Sequence, residues 1–170
     1  MPLSFDLLKK YQTNVFIETG TFQGEAVEYA RQLPFDEIHS IELNGCMAHD
    51  AGIRFKDDRR IHIHQGSSDV VLQRILLTIN GPVTFWLDAH PIVDPLTLAM
   101  TPVAGELQAI ADQLPRLQVR AVLIDDMRVF SPADCAWMTQ RLKAIFPTYA
   151  VIREPNRYAS DDVLTATVTV

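Results

Sequence analysis

Strand-like and helix-like segments alternate along this chain, and this alternation constrains the fold more than any other feature of the sequence. Short apolar and β-branched runs predict strands, and apolar residues recurring every three or four positions predict helices. The predicted strands are 14–18, 37–42, 60–64, 83–88, 121–125, 149–153 and 163–170, and the predicted helices are 23–33, 45–55, 68–79, 103–114 and 132–146. Repeated βα units of this kind indicate a mostly parallel sheet with helices on both faces.

The end of the chain breaks the alternation. The last two predicted strands are joined by residues 154–162 alone, which is too short for a crossover helix and favours an antiparallel hairpin. We therefore predict an α/β fold with three layers, a Rossmann-like, mostly parallel seven-stranded sheet and a C-terminal antiparallel hairpin. A length of 170 residues fits one domain over positions 1–170 with one substantial core.

Composition excludes several classes of protein. The formal net charge of −6 argues against a nucleic-acid partner, since phosphate contacts need a basic face. No apolar run approaches 18 residues and the N-terminus does not have the pattern of a secretory signal, so no membrane association is expected. Cys46 and Cys135 form no CxxC pair, which favours reduced thiols and a cytoplasmic location.

The segment E-T-G-T-F-Q-G at 18–24 is the most informative motif. An apolar strand ends in Glu18, a glycine turn follows, and Gly24 opens a helix, which is a common way to hold a nucleotide-like ligand against backbone N–H groups. The carboxylate of Glu18 favours a ligand with a cationic group, such as S-adenosylmethionine, over a dinucleotide pyrophosphate. A purely structural alternative is that Gly20 supplies a positive φ angle and Gly24 permits close helix packing.

Carboxylates end four of the predicted strands, at Glu18, Glu42, Asp88 and the pair Asp125–Asp126. Ligands of open α/β sheets bind outside the carboxyl ends of the strands, so this recurrence indicates a binding site. Glu42 suits the hydroxyls of a ribose, in NAD as well as in S-adenosylmethionine. The polar run 67–69 follows the third strand and suits an adenine edge, or else a serine N-cap on the next helix.

Five motifs together make the chain resemble the class I S-adenosylmethionine-dependent methyltransferases over essentially its whole length. They are ETGTFQG at 18–24, IELN at 41–44, HQGSSD at 64–69, WLDAH at 86–90 and LIDDMR at 123–128. The resemblance implies that S-adenosylmethionine binds at Glu18, Thr19, Gly20, Gly24, Glu42, Ser67, Ser68, Asp69 and Asp88.

WLDAH followed some 35 residues later by IDD looks like the metal-dependent sugar O-methyltransferases of the macrocin type. That narrower resemblance implies Mg²⁺ held by Asp88, Asp125 and Asp126, with hard oxygen ligands that suit this ion. It also implies that Asp88 and His90 are catalytic, with His90 as general base. The alternatives are that Asp126 only caps a turn and that His90 only shapes the loop before Pro91.

The predicted function is S-adenosylmethionine-dependent methyl transfer to an oxygen of a small molecule. The resemblance to the macrocin-type enzymes adds the prediction that Mg²⁺ assists this transfer. Two alternatives stay open: a non-catalytic module that binds a nucleoside cofactor, and an NAD-dependent oxidoreductase, which should show G-x-G-x-x-G after the first strand. The apolar loop from 91 to 102 is predicted to be a lid or a homodimer contact. Ordinary structural roles are predicted for the remaining histidines, His39, His49, His62 and His64.

Overall fold

The computed structural model describes residues 3–168, which form seven strands and six α-helices. The strands are β1 Val15–Thr19, β2 Glu37–Glu42, β3 Ile61–Gln65, β4 Pro82–Leu87, β5 Gln118–Ile124, β6 Tyr149–Glu154 and β7 Val163–Val168. The helices are α1 Phe5–Lys10, α2 Glu25–Ala30, α3 Gly45–Phe55, α4 Ser68–Leu76, α5 Val103–Gln113 and α6 Pro132–Ile145. Single 3₁₀ turns lie at Leu98–Met100 and Met127–Val129.

All seven strands belong to one sheet in the order β3-β2-β1-β4-β5-β7-β6. The first five strands run parallel to one another, whereas β7 pairs antiparallel with both β5 and β6. The predicted fold class is therefore confirmed, including the antiparallel hairpin at the end of the chain.

Apolar side chains fill the space on both faces of the sheet. One core packs α4, α5 and α6 against residues such as Ile17, Phe85 and Val122, and the other packs α1, α2 and α3 against Phe16 and Ile38. These strand side chains alternate between the two faces, as the pleat requires. In the part of the chain that the structure describes, no helix is long and apolar enough to cross a membrane.

Element boundaries differ from the predictions in several places, and α4, for example, ends at Leu76 rather than at 79. Helix α1 was not predicted; it has only six residues, and its start is stabilised by the Ser4 side chain, which accepts a hydrogen bond from the Leu7 N–H at 3.1 Å. Helix α2 begins later than predicted because Gly24 is left-handed and acts as its N-cap. Strand β5 begins at Gln118 rather than at 121. The predicted last strand ran to 170, and its final two positions lie outside the described residues.

Candidate functional site

A cavity of about 980 Å³ opens at the carboxyl ends of β1, β2 and β4. Strands β2 and β4 lie on either side of β1 in the sheet, so the strand order reverses its direction at β1. This is the topological switch point at which open α/β sheets bind ligands. The walls come from the loops after β1, β2, β3 and β4, together with Asp126 and Tyr158.

The loop after β1 is held against β2 by its backbone. Gly20 has φ +85° and its N–H donates to the carbonyl of Ile41 at 2.8 Å. Phe22 has φ +47°, a left-handed conformation that is rare for a bulky side chain, and its ring is 42% exposed at the cavity wall. A strained, exposed aromatic residue of this kind is typical of a ligand-binding loop.

Glu42 joins two of the loops that form the cavity. One carboxylate oxygen accepts the N–H of Phe22 and the other accepts the N–H of Asn44, both at 2.8 Å. Each carboxylate oxygen has two lone pairs, so one acceptor site on each oxygen remains for a ligand hydroxyl. Glu42 is therefore rigidly placed and still able to accept two further hydrogen bonds.

Three of the residues predicted to bind the cofactor lie behind the cavity and not in its wall. Glu18 is buried and accepts a hydrogen bond from Ser40 Oγ at 2.6 Å, and Ser40 Oγ lies 2.6 Å from Thr21 Oγ1. Burial raises the pKa of Glu18 well above its usual value. Thr19 is fully buried, and Gly24 packs against the ring of Phe55. These residues shape the loop from beneath, while Gly20, Glu42, Asp88 and the run from Ser67 to Asp69 line the cavity.

The turn after β3 is supported from behind by α5. Ser67 is the N-cap of α4 and its hydroxyl donates to Asp69 Oδ1 at 2.5 Å, whereas Ser68 Oγ donates to the buried carboxylate of Glu106 at 2.6 Å. Burial raises the pKa of Glu106 to about 7, and the hydrogen bond from Ser68 opposes this shift. Sequence reasoning did not identify Glu106, because an acid within an amphipathic helix looks like an ordinary surface residue.

Asp88, His90 and Asp126 meet at the deep end of the cavity. His90 Nε2 lies 3.0 Å from Asp88 Oδ1 and 3.2 Å from Asp126 Oδ2, while His90 Nδ1 lies 3.0 Å from the carbonyl of Pro91. The Nε2 atom has hydrogen-bond geometry to neither carboxylate among the described residues, so these contacts are those of an ion pair. One ligand atom from each of the three side chains lies within 4.8 Å of the other two, which is close enough to hold one metal ion.

The charges of these three groups are strongly linked. Burial alone would lower the pKa of His90, but Asp126 and Asp88 outweigh it and raise that pKa to about 10. Burial also raises the pKa of Asp88, whereas for Asp126 the effect of burial is outweighed by His90 and Arg128, which lower its pKa. At neutral pH the imidazolium of His90 is therefore the counter-ion of the carboxylates around it.

Asp125 belongs to a second acidic group, which shares Asp126 with this trio. Asp125, Asp126 and Asp162 also place one oxygen each within 4.8 Å of one another. Asp125 Oδ1 accepts a hydrogen bond from Asn156 at 3.1 Å, but its buried Oδ2 has no partner among the described residues. Burial raises the pKa of Asp125 well above its usual value, and Asp88 adds to this shift. An orphaned buried carboxylate oxygen needs a proton or a cation.

Asp162 was missed by sequence reasoning, since it lies in the hairpin connection and ends no strand. Its backbone and side chain fix the segment after β5: the carbonyl accepts the N–H of Met127 at 2.9 Å, and Oδ1 accepts the N–H of Arg128 at 2.7 Å. The Arg128 guanidinium also contacts both Asp126 and Asp162. The two carboxylates thereby offset the charge of this arginine.

The loop after β4 forms part of the cavity wall. Leu96 is fully buried and its N–H donates to the carbonyl of Val129 at 2.9 Å, which pins the middle of the loop to the segment after β5. Ile92 is 85% exposed and Met100 is 49% exposed, and both line the cavity. The loop thus presents apolar side chains to any molecule that enters.

No protein-family model matches this sequence, and no curated protein matches it. Solved structures do match. The O-methyltransferase TomG from Streptomyces achromogenes, involved in tomaymycin synthesis and solved with SAM, is 19% identical; 98% of this chain aligns with 78% of TomG at a TM-score of 0.65. An O-methyltransferase from Bacillus cereus in complex with SAH is 16% identical; 97% of this chain aligns with 78% of that enzyme at a TM-score of 0.63. The SAH-bound methyltransferase PaMTH1 from Podospora anserina is 15% identical, covering 98% and 76%, with a TM-score of 0.62.

These likenesses show the class of fold. The chain has the seven-stranded fold of the class I methyltransferases, as its motifs and its strand order indicate.

Proposed function

We propose that this protein transfers the methyl group of S-adenosylmethionine to an oxygen of a small molecule. The observation that carries the proposal is the cavity at the switch point, where Gly20, Glu42 and the turn from Ser67 to Asp69 share one wall and Asp88 closes the deep end. The structurally similar proteins that were solved with SAM or SAH support the same ligand class.

Each part of the cavity suits one part of this cofactor. The two lone pairs that remain on Glu42 match the two hydroxyls of a ribose, and Asp69 and the serines before it offer polar groups to an adenine. Glu18, Thr19 and Gly24 act from beneath by fixing the loop after β1, because none of them lines the cavity. Asp88 lies beside Gly20, where the reacting centre would sit.

A small acceptor fits the charges of the cavity better than a nucleic acid does. Five acidic residues line it, and no lysine or arginine among residues 3–168 does so. A polyanionic acceptor would be repelled at such a surface. The apolar side chains of Ile92 and Met100 instead suit the body of a small organic molecule.

The reaction is an in-line displacement, so the protein supplies position and a deprotonated oxygen. We assign Asp88 and His90 to the acceptor side. In the resting state His90 carries a proton that Asp88 and Asp126 hold in place, so it acts as a base only after that proton has left and while no metal ion occupies Nε2.

A divalent cation fits the donors that this chain presents. Asp88, His90 and Asp126 converge, and Asp125 behind them keeps an unpartnered carboxylate oxygen. Asp125 belongs to the neighbouring group with Asp162, and we include it in the proposed cation site because its negative charge would stabilise a bound cation. When bound, Mg²⁺ would lower the pKa of an acceptor hydroxyl and offset these carboxylates.

Calorimetric titration with S-adenosylhomocysteine tests the proposal. We expect micromolar binding to the wild-type protein and a loss of at least tenfold in Glu42→Ala, with Asp57→Ala, an exposed acid outside the cavity, as the control. Methyl consumption across an acceptor panel, with and without Mg²⁺, then separates an enzyme from a non-catalytic binding module. Binding of NAD in place of S-adenosylhomocysteine would overturn the proposal in favour of an oxidoreductase. Size-exclusion chromatography tests the predicted homodimer.

A further inference from the structure

Three of the five histidines lie together at the edge of the sheet, away from the cavity. His39 on β2 is in register with His62 on β3, and His64 follows two residues later on the same face of β3. The ring of His39 stacks on both neighbours, with centroids 4.9 Å from His62 and 5.3 Å from His64. None of the three lines the cavity, so the proposed methyl transfer does not account for them.

Hydrogen bonds fix the orientation of the central ring. His39 Nε2 lies 3.1 Å from Glu37 Oε2, and His39 Nδ1 lies 3.0 Å from His64 Nε2. An ionised carboxylate only accepts, so the proton of a neutral His39 is on Nε2 and Nδ1 presents its lone pair to His64. A carboxylate on the outer nitrogen of a histidine is the arrangement that orients a metal-binding imidazole.

Both rings are in the form that binds metals. Burial lowers the pKa of His39, and burial together with His39, His62 and Arg74 lowers the pKa of His64 to about 4. Neutral imidazoles therefore face each other at neutral pH, with one proton between them on His64 Nε2 and the lone pair of His39 Nδ1 as its acceptor. Arg74 on α4 is the cation that faces this group, and its charge opposes a bound metal ion.

We propose that His39 Nδ1 and His64 Nε2 bind a transition-metal ion of the Zn²⁺, Ni²⁺ or Cu²⁺ type, with Glu37 orienting His39. The ion would take the place of the proton between the two rings, that proton would move to Nδ1 of His64, which stays neutral, and solvent would complete the coordination of the ion. Two nitrogens bound at 2.0–2.1 Å to a tetrahedral ion lie about 3.3 Å apart, close to the 3.0 Å observed here. Imidazole ligands without hard oxygens favour these ions over Mg²⁺. The ion would join β2 to the edge strand β3.

Zinc titration of the full chain by calorimetry tests this site, with variants that separate it from the acidic trio. His64→Gln should lose one equivalent of zinc, while His49→Gln, which changes an exposed histidine on α3, should bind as the wild type does. Asp126→Asn should retain the His39–His64 equivalent. Arg74→Gln should bind that equivalent several-fold more tightly, because the opposing charge is gone.

A second readout covers the case in which His64→Gln folds poorly. Long-range ¹⁵N spectra of the wild-type imidazoles should show His39 Nδ1 and His64 Nε2 shifting together at one equivalent of zinc. The inference is overturned if His64→Gln keeps every zinc equivalent, or if zinc moves only the resonances of other histidines. Neither result bears on the binding of S-adenosylhomocysteine, so the proposed function stands or falls separately.

Discussion

The carbonyl oxygen of Asp88 lies 2.5 Å from the position that a Cβ atom on Gly20 would occupy. Two chain segments meet there, the turn after β1 and the turn after β4, and both line the cavity. Gly20 is also left-handed, with φ +85°, so both the close contact and the backbone conformation disfavour a side chain at this position. The contact makes the first turn and the deep end of the cavity one rigid unit.

Gly20→Ala should therefore destabilise the ligand-free protein by about 2–4 kcal/mol, since it adds backbone strain and a clash with main-chain atoms. Gly52→Ala is the matched control, because Gly52 lies within α3 and an added Cβ meets no atom within 4 Å. That change should stabilise the protein by about 0.5–1 kcal/mol. Urea denaturation measures both. Equal stabilities of the two variants would contradict this account.

Phe22 stores backbone strain at the cavity wall. Its φ of +47° suits glycine and strains any residue with a Cβ, while its N–H is held by Glu42. Phe22→Gly and Phe22→Ala both remove the ring, but only the glycine relieves the strain. The glycine variant should be more stable than the alanine variant by about 1 kcal/mol in thermal or urea unfolding without ligand. An alanine variant as stable as the glycine variant would show that the left-handed backbone carries no strain.

Sequence reasoning predicted the antiparallel hairpin at the end of the chain and the acids at the strand ends, because both follow from short-range patterns. The short connection between β6 and β7 favours a hairpin, and Glu42 and Asp88 end predicted strands. Whether an acid faces a ligand or the interior depends on the pleat and on neighbours distant in sequence. Glu18 is the example: it points to Ser40 on the adjacent strand and away from the cavity.

The predicted magnesium ligands illustrate the same limit. Asp88, Asp125 and Asp126 all stand at the expected edge of the sheet, but Asp125 and Asp126 lie beyond the end of β5, where the backbone turns and strand alternation no longer fixes the side-chain directions. Asp126, left-handed at φ +56°, belongs both to the group with Asp88 and His90 and to the group with Asp125 and Asp162, whereas Asp125 belongs to the second group. Asp162 comes from the far side of the hairpin, so no spacing within the IDD motif could have identified it.

Asp125 should cost stability whenever it is ionised without a cation nearby. The pKa of Asp125 is higher in the folded than in the unfolded protein, so above about pH 3.9 the carboxyl ionises more readily in the unfolded chain. This difference destabilises the fold, and the loss of stability grows as the pH rises. Asp125→Asn keeps the oxygen that accepts from Asn156 and removes the charge. Without metal, this variant should be more stable than wild type at pH 7 by at least about 1 kcal/mol, and the difference should shrink towards pH 4.

Urea titrations at several pH values in the presence of a chelator give this comparison. Asp57→Asn, at an exposed position, is the control and should change stability by less than about 0.5 kcal/mol at every pH. An Asp125→Asn variant that is less stable than wild type at pH 7 would show that the carboxylate is stabilised by an unidentified partner.

Metal binding at Asp88, His90 and Asp126 should release a proton. The pKa of His90 is about 10, so at pH 7 an ion that binds this nitrogen must displace its proton. The apparent affinity should consequently rise about tenfold per pH unit between pH 7 and 9. Titration with Mn²⁺ in buffers of different ionisation enthalpy should report about one proton released per ion. His90→Gln has no proton to lose, so its affinity should be nearly independent of pH over this range and its proton release near zero. Equal proton release from the wild type and from His90→Gln would mean that the imidazolium does not compete with the metal.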